Sequence, residues 1–354
     1  MKELILKFQI KDMPVTCERY GCGHINETYL VDCEYGTRYI LQKINKRIFT
    51  KPVELMENIA ATTAYILSRT DNPRAAMHLV LTKNGKACYE DEKGEFWRLY
   101  DYVPNTICLQ KVEDIKDFYY CGLIFGRFQG QLANFPAETL HEPIADFHNT
   151  RVRFEQLHAA MDVNFENRLE TCKEELEFAL AREREAGAIV DKIASGELPL
   201  RVTHNDTKLN NILFDKTTRT PVCVIDLDTI MPGSSLYDYG DAIRFGASTA
   251  AEDEKDLDKV WCDLELFGTY TQGFLEGCEG SLTELELEMM PMGAKLMTLE
   301  CGIRFLADYL NGDTYFRTHY ADQNLIRART QFKLVADMED KWERMHQIVK
   351  ECAK

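Results

Sequence analysis

The run Thr203-His204-Asn205-Asp206-Thr207-Lys208-Leu209-Asn210-Asn211 places an aspartate and an asparagine five residues apart in a polar loop. An apolar segment, Ile212-Leu213-Phe214, follows it, and a second, Val224-Ile225, ends in Asp226 with Asp228 two residues on. Phosphoryl transfer from ATP uses this inventory. One carboxylate orients an acceptor hydroxyl and takes its proton, a task for Asp206. A carboxylate and an amide oxygen hold magnesium against the triphosphate, tasks for Asp226 and Asn211. Magnesium prefers hard oxygen ligands, and a nucleotide supplies several of them. The plainer alternative makes Asp206 and Asn211 turn residues and His204 a structural histidine. A single H-x-D-x-x-x-x-N match can arise by chance in a long chain, but an apolar strand ending in aspartate at the proper distance argues against coincidence. His204 reads as a brace of the loop, because activating a hydroxyl here is work for a carboxylate.

Two kinds of element must hold these residues. The first hundred positions carry a strand signal: Tyr29-Leu30-Val31 and Tyr39-Ile40-Leu41 across the turn-like Glu34-Tyr35-Gly36-Thr37, then His78 to Leu81, Ala87 to Tyr89 and Phe96 to Tyr100. Asn84-Gly85 and Asp91 to Gly94 supply the intervening turns. Leu55, Ile59, Thr62 or Thr63 and Ile66 recur at helical spacing, so one helix is predicted over Val53 to Arg69, with Thr50 and Pro52 at its start. Beyond Pro104 the pattern turns helical over Ile115–Leu132, Glu166–Ala194, Glu284–Asn311 and Gln323–Cys352. A buried strand at Val222 to Ile225 interrupts it. The expected architecture is α+β, with a small antiparallel N-terminal sheet and one packed helix over 1–103, then a larger, mainly helical part over 104–354. Tyr102-Val103-Pro104 forms the natural hinge, since proline biases the residue before it towards extended backbone.

Composition narrows the function classes. The chain has 354 residues, with 42 Lys and Arg against 58 Asp and Glu, a formal net charge of −16. Acidity of that size argues against a nucleic-acid partner, which wants a positive field. No run approaches the roughly 18–20 apolar residues that a membrane-spanning helix needs. The N-terminus is charged from its second residue and lacks an apolar export core. The twelve cysteines show no CxxC pair and no zinc spacing, so they read as reduced, buried small hydrophobes. A cytoplasmic monomer that binds small molecules is the expectation.

THNDTKLNN followed by VIDLD resembles the catalytic and metal-binding loops of the aminoglycoside phosphotransferase and choline kinase superfamily, whose fold is protein-kinase-like. The segments YGCGHINETYLV, RYILQKIN, LRVTHNDTKLNNILFD, VIDLDTIMPGSSLYDYGDAIRFGAST and LECGIRFLADYLNGDTYF are similar to the N-acetylhexosamine 1-kinase branch of that superfamily, over residues 20–316. The resemblance implies an ATP- and Mg2+-dependent kinase that phosphorylates the anomeric hydroxyl of N-acetylgalactosamine or N-acetylglucosamine. It makes Asp206 the base and Asn211 and Asp226 the magnesium ligands, with Asp228 as a further metal residue. It makes Asp238 a brace of the catalytic loop, and His24, Phe245, Arg304 and Tyr315 the sugar pocket. An arginine on the otherwise apolar segment Ile303 to Leu306 would be costly to bury without a task.

On the nucleotide side, Gly21 and Gly23 could let backbone approach phosphate, with Asn26 and Thr28 adding polar groups. No GKT or GKS marks a Walker loop. Protein kinases place a lysine on the third strand, paired with a helix glutamate. Here the segment reads Ile40-Leu41-Gln42-Lys43, and strand alternation that turns Gln42 inward turns Lys43 away. Gln42 therefore enters the nucleotide site without a charge, while Lys43 and Glu57 remain candidates. Adenine is expected against the backbone of Asp101, Tyr102 and Val103. Two other readings stand beside this one: a kinase of choline, ethanolamine, a methylthio-sugar or an aminoglycoside, and a nucleotide-binding protein of the same fold without turnover. A cationic acceptor would want an aromatic cage or several carboxylates, which Arg304 and His24 oppose.

Overall fold

A computed structural model describes residues 1–21, 25–109 and 112–354. It divides into two compact units. The first comprises Met1–Gln110, Asn134–Ala145 and Asn210–Pro232; the second comprises Lys111–Ala133, Asp146–Leu209 and Gly233–Lys354.

The first unit opens with a short helix α1 (Lys2–Ile5), then strands β1 (Pro14–Arg19), β2 (Glu27–Cys33) and β3 (Arg38–Lys43). Helix α2 (Pro52–Leu67) follows, then β4 (Leu79–Val80), β5 (Tyr89–Glu90), β6 (Phe96–Asp101) and β7 (Thr106–Ile107). The sheet is antiparallel in the order β1-β2-β3-β6-β4, with β5 on β6. This is the N-terminal sheet with one helix that the strand runs predict. Because side chains alternate across a strand, Tyr39, Leu41, Trp97 and Leu99 share one face. They pack there with Ile5, Phe8 and Val31. The alternate positions, Gln42, Arg98 and Tyr100, are left for the other face. Helix α2 starts with Pro52 in its first turn, where the missing N–H costs nothing, and buries Leu55, Met56, Asn58, Ile59 and Ile66.

The rest of the chain is mainly helical. It runs through α3 (Ile115–Gln131), α4 (Thr150–Val163), α5 (Lys173–Leu180) and α6 (Val190–Ala194), then the strands β8 (Arg201–Thr203), β9 (Ile212–Asp215), β10 (Pro221–Val224) and β11 (Met231–Gly233). It ends in α7 (Ser235–Gly246), α8 (Leu264–Cys278), α9 (Glu284–Leu310), α10 (Gln323–Asp340) and α11 (Trp342–Cys352). Within the first unit, β9 lies between β7 and β10 in a small antiparallel sheet. No helix among the described residues is long and apolar enough to cross a membrane.

Two helices expected to be continuous are broken. Glu166–Ala194 contains a 3-10 stretch with Glu166 and Asn167 at φ of 51° and 58°, then α5, a second 3-10 turn at Glu183–Glu185, and α6. Its many charge pairs are each worth only a few tenths of a kcal/mol, about 0.2–0.5, too little to hold a helix that lacks a continuous apolar stripe. Gln323–Cys352 divides at Lys341, whose Nζ is drawn off to Asp337 (2.7 Å) and the Cys262 carbonyl (2.9 Å). Helices α4, α7 and α8 have no counterpart in the sequence reading. In α8, Gly268, Gly273 and Gly277 weaken the helical signal. Close packing explains two of them: a Cβ on Gly273 or Gly277 would lie 2.2 Å from a backbone carbonyl oxygen of α3.

Candidate active site

In the second unit, the loop after β8 carries Asp206 and is tied down by one buried carboxylate. Asp238, on α7, is fully buried and accepts from the amide N–H groups of His204 (2.9 Å) and Asn205 (2.7 Å) and from Gln129 Nε2 (2.7 Å). Burial pushes its carboxyl up, only partly offset by His204 and these donors. Asp238 is thus the brace that the resemblance implies. His204 is buried edge-on to Phe125 and Phe128 of α3, at centroid distances of 5.3 and 5.9 Å. Its Nδ1 accepts the Asp206 amide N–H at 3.3 Å, so it too props the loop. Asn205 takes a left-handed φ of 64°, which asparagine tolerates better than most residues. The result is a half-buried Asp206 carboxylate in an ion pair with Lys208 at 2.5 Å.

Around that pair lies a set of polar groups absent from the sequence reading. Lys208 is held charged to above its ordinary pKa: burial works against this, but Asp206 and Asp241 outweigh it. Asp241 is held below the usual carboxylate range because Arg244, Lys208 and His148 overcome the effect of its burial. Arg244 donates to both Asp241 (3.0 Å) and Glu252 (3.1 Å). His148 Nδ1 lies 2.9 Å from Glu300 Oε1, and Thr150 Oγ1 donates to Glu300 Oε2 at 2.8 Å. Glu300 is buried yet lowered, against the cost of desolvation, by His148, Arg153 and Arg304. Arg304 stands one turn along α9 from Glu300, with its guanidinium 5.9 Å from the Phe147 ring and 5.5 Å from Phe316. Of the expected acceptor residues, Arg304 therefore joins this cluster. Tyr315 is 74% exposed and packs edge-on against Phe316 at 4.8 Å, and Phe245 is 55% exposed at the end of α7. His24 and Gly23 lie outside the described residues.

The expected metal residues sit in the first unit. The Asn211 carbonyl accepts the Ile225 N–H at 2.8 Å, which sets the start of β9 beside the end of β10. Asp226 follows in a left-handed conformation (φ 59°, ψ 58°) and is exposed, whereas Asn211 is 6% exposed. An amide oxygen and an exposed carboxylate fit magnesium's preference for hard oxygen donors, and would leave other ligand positions to water or phosphate if the ion bound here. Asp228 is in a different environment. It is 3% exposed, with Oδ1 bonded to Arg98 Nη1 and Oδ2 to Asn26 Nδ2. Arg98, on β6, is the cross-strand partner of Gln42 and takes a 2.9 Å bond from its Nε to Gln42 Oε1.

The remaining nucleotide-side residues are placed as follows. Gly21, two residues past the end of β1, has a φ of 77°. Gln42 also donates to Thr28 Oγ1 at 3.0 Å. Lys43 turns to the opposite face, near Glu27 (3.7 Å) and Glu95 (3.5 Å), and Glu57 pairs with His141 at 2.8 Å. The amide N–H groups of Asp101 and Tyr102 are spent on the carbonyls of His78 and Arg38, and the Val103 carbonyl accepts Thr106 Oγ1 at 2.8 Å.

Comparison with known proteins matches residues 16–268 to the model of a phosphotransferase enzyme family. Among solved structures, the chain resembles an aminoglycoside phosphotransferase from Alicyclobacillus acidocaldarius (TM-score 0.63, 11% identity, 97% of this chain and 96% of that one). It also resembles a microcompartment-associated aminopropanol kinase (TM-score 0.57, 16% identity, 98% and 97%). An amicoumacin kinase in complex with AMP-PNP, Ca2+ and Ami matches at TM-score 0.57, 16% identity, and 92% and 88% coverage.

Proposed function

We propose that this chain, which belongs to the phosphotransferase enzyme family, transfers the terminal phosphoryl group of ATP to the anomeric hydroxyl of an N-acetylhexosamine. The observation that carries the reading is the Asp206 loop: a carboxylate pinned through Asp238 and His204 and paired with Lys208. Asp206 accepts the hydroxyl proton as the oxygen attacks phosphorus, and ADP leaves. Lys208, paired with that carboxylate, offers positive charge where negative charge builds. Asn211 and Asp226 would hold magnesium, which supplies charge neutralisation at the phosphates when bound. Residues 1–103 would grip the nucleotide and residues 104–354 would supply base and acceptor pocket.

For the acceptor, Arg304 between Phe147 and Phe316 offers donors to hydroxyl or acetamide oxygens beside apolar surface. Its charge is unsuited to a quaternary ammonium group. A second reading, an amine-bearing alcohol, draws on the likeness to the aminopropanol and aminoglycoside kinases and on Asp241 and Glu300, which could face an ammonium group.

An ATP-consumption assay with magnesium separates them. The acceptors should be both N-acetylhexosamines, galactose, choline, aminopropanol and kanamycin. Turnover is expected with an N-acetylhexosamine and should vanish in Asp206→Asn. Turnover confined to choline, aminopropanol or kanamycin would keep the phosphotransferase and overturn the sugar assignment.

A further inference from the structure

On β3, Gln42 rather than Lys43 shares a face with Arg98, and that arginine is a fully buried cation one strand over. Arg98 is 1% exposed. Burying a guanidinium is costly unless every part of it is engaged, and the contacts of Arg98 are specific. Nε is fixed by Gln42 Oε1 at 2.9 Å, Nη1 reaches Asp228 Oδ1, and Nη1 also lies 3.7 Å from Met56 Sδ on α2. The Tyr100 ring is 5.4 Å from its Cζ. Gln42 is itself anchored to Thr28, so the guanidinium is set from two neighbouring strands.

Its partner Asp228 sits in the 3-10 turn Leu227–Thr229, directly after Asp226. The far oxygen of Asp228 is held by Asn26, whose own Oδ1 accepts the Asn45 N–H at 3.0 Å. The end of the turn is clamped from α2: Asn58 Nδ2 donates to the Ile230 carbonyl at 2.9 Å and to the His141 carbonyl at 2.8 Å, and Asn58 Oδ1 accepts the His141 N–H at 2.9 Å. Asp226 needs such support. Its left-handed backbone is uncommon for a residue with a side chain and persists where its surroundings over-determine it.

We infer that Arg98 is a positioning residue for phosphoryl transfer: fixed by Gln42, it holds Asp228 and thereby aims the Asp226 carboxylate at the metal. On this account Asp228 is the lever of the turn, held by Arg98 at one end, while Asn58 fixes the turn's other end through the Ile230 carbonyl. The inference rests on the phosphotransferase reading of Asp226.

The test counts bound Mn2+ by electron paramagnetic resonance with ADP present, and separately titrates metal-free ADP in EDTA by calorimetry. The proteins are wild type, Arg98→Gln, Arg98→Lys, Asp228→Asn and Asp226→Asn, each compared below its own melting temperature. Outer partners of metal ligands typically change metal affinity by about 10–100-fold. Arg98→Gln should therefore weaken Mn2+ binding by at least about tenfold while metal-free ADP affinity stays within about twofold. Arg98→Lys keeps the charge and the fold but cannot reach Gln42 and Asp228 together, so it should show the same split. Asp228→Asn should fall between Arg98→Gln and Asp226→Asn. Equal loss of metal-free ADP would make Arg98 a direct phosphate ligand and overturn the inference. A lowered melting temperature with unchanged Mn2+ affinity would reduce Arg98 to a structural role and also overturn it. Wild type that binds no Mn2+ with ADP would instead sink the phosphotransferase reading itself.

Discussion

Arg304 and Asp206 show what single residues ask of their surroundings. Asp206 was legible from spacing alone, since H-x-D-x-x-x-x-N is a local pattern. Arg304 was legible as a charge in an apolar run. The pairings inside each unit were not, because His148 and Glu300 are 152 positions apart and Arg98 and Asp228 are 130 apart. Pairings of that range leave no trace in local periodicity. Asp228 illustrates the consequence: two residues past Asp226 it looks like a second metal residue, yet it lies buried between Arg98 and Asn26. At this scale the acceptor pocket is testable. Arg304→Ala removes a charged donor worth about 1.5–3 kcal/mol, so the acceptor KM should rise about 10–100-fold while the ATP KM holds. Steady-state kinetics varying each substrate in turn would check this. A selective rise in the ATP KM would move Arg304 out of the acceptor pocket.

Elements hold those residues in place within each unit. Helix α3 supplies Phe125 and Phe128 against His204 and Gln129 to Asp238, so its seating decides the posture of the Asp206 loop. That seating depends on glycines. A Cβ on Gly126 would stand 2.0 Å from the Phe274 carbonyl oxygen of α8, and one on Gly122 would stand 2.3 Å from that of Tyr270. Gly126→Ala should therefore destabilise the protein by about 1–3 kcal/mol despite its better helix propensity, as overpacking does. Chemical denaturation would measure it. A stabilised variant would show that the two helices can part at no cost. The sequence carried α3 clearly through its apolar period, whereas α8 was hidden because the glycines that permit this contact also erase the helical signal. Continuous helix over Glu166–Ala194 was an error in the other direction, where charge pairs imitate a helix that the apolar residues do not sustain.

The whole molecule carries its acidity unevenly. Glu286, Glu300 and Glu339 are each held below the ordinary 4.5, and Asp241 below 3.8, by arginine, lysine or histidine partners that outweigh burial. A lowered folded-state pKa gives stability that is present above the unfolded value and lost as pH falls through the folded one. Asp238 works in the opposite sense, since burial raises it, but it stands against these four and against Asp91, Asp215 and Asp253, which are lowered too. Thermal stability should therefore fall steadily as pH drops below about 4.5, with the ion pairs breaking and the acidic loop partners neutralised. Calorimetry between neutral pH and pH 3.5 would check this, and a melting temperature that rises on acidification would contradict it. The architecture, an antiparallel sheet with one helix followed by a larger helical part, was visible from the change of period near Pro104. Which distant segments contribute to each compact unit was not, because Asn210–Pro232 joins the first unit only through tertiary contacts.

In the proposed reaction, Asp206 drives transfer of phosphate to a sugar's anomeric oxygen. Phosphorus NMR of wild type and Asp206→Asn with ATP, magnesium and either N-acetylhexosamine tests it most directly. A new sugar 1-phosphate resonance, coupled to the anomeric proton, is expected in the wild type, and none in the variant although it still binds nucleotide. A sugar phosphate on another hydroxyl, or undiminished product from Asp206→Asn, would contradict it.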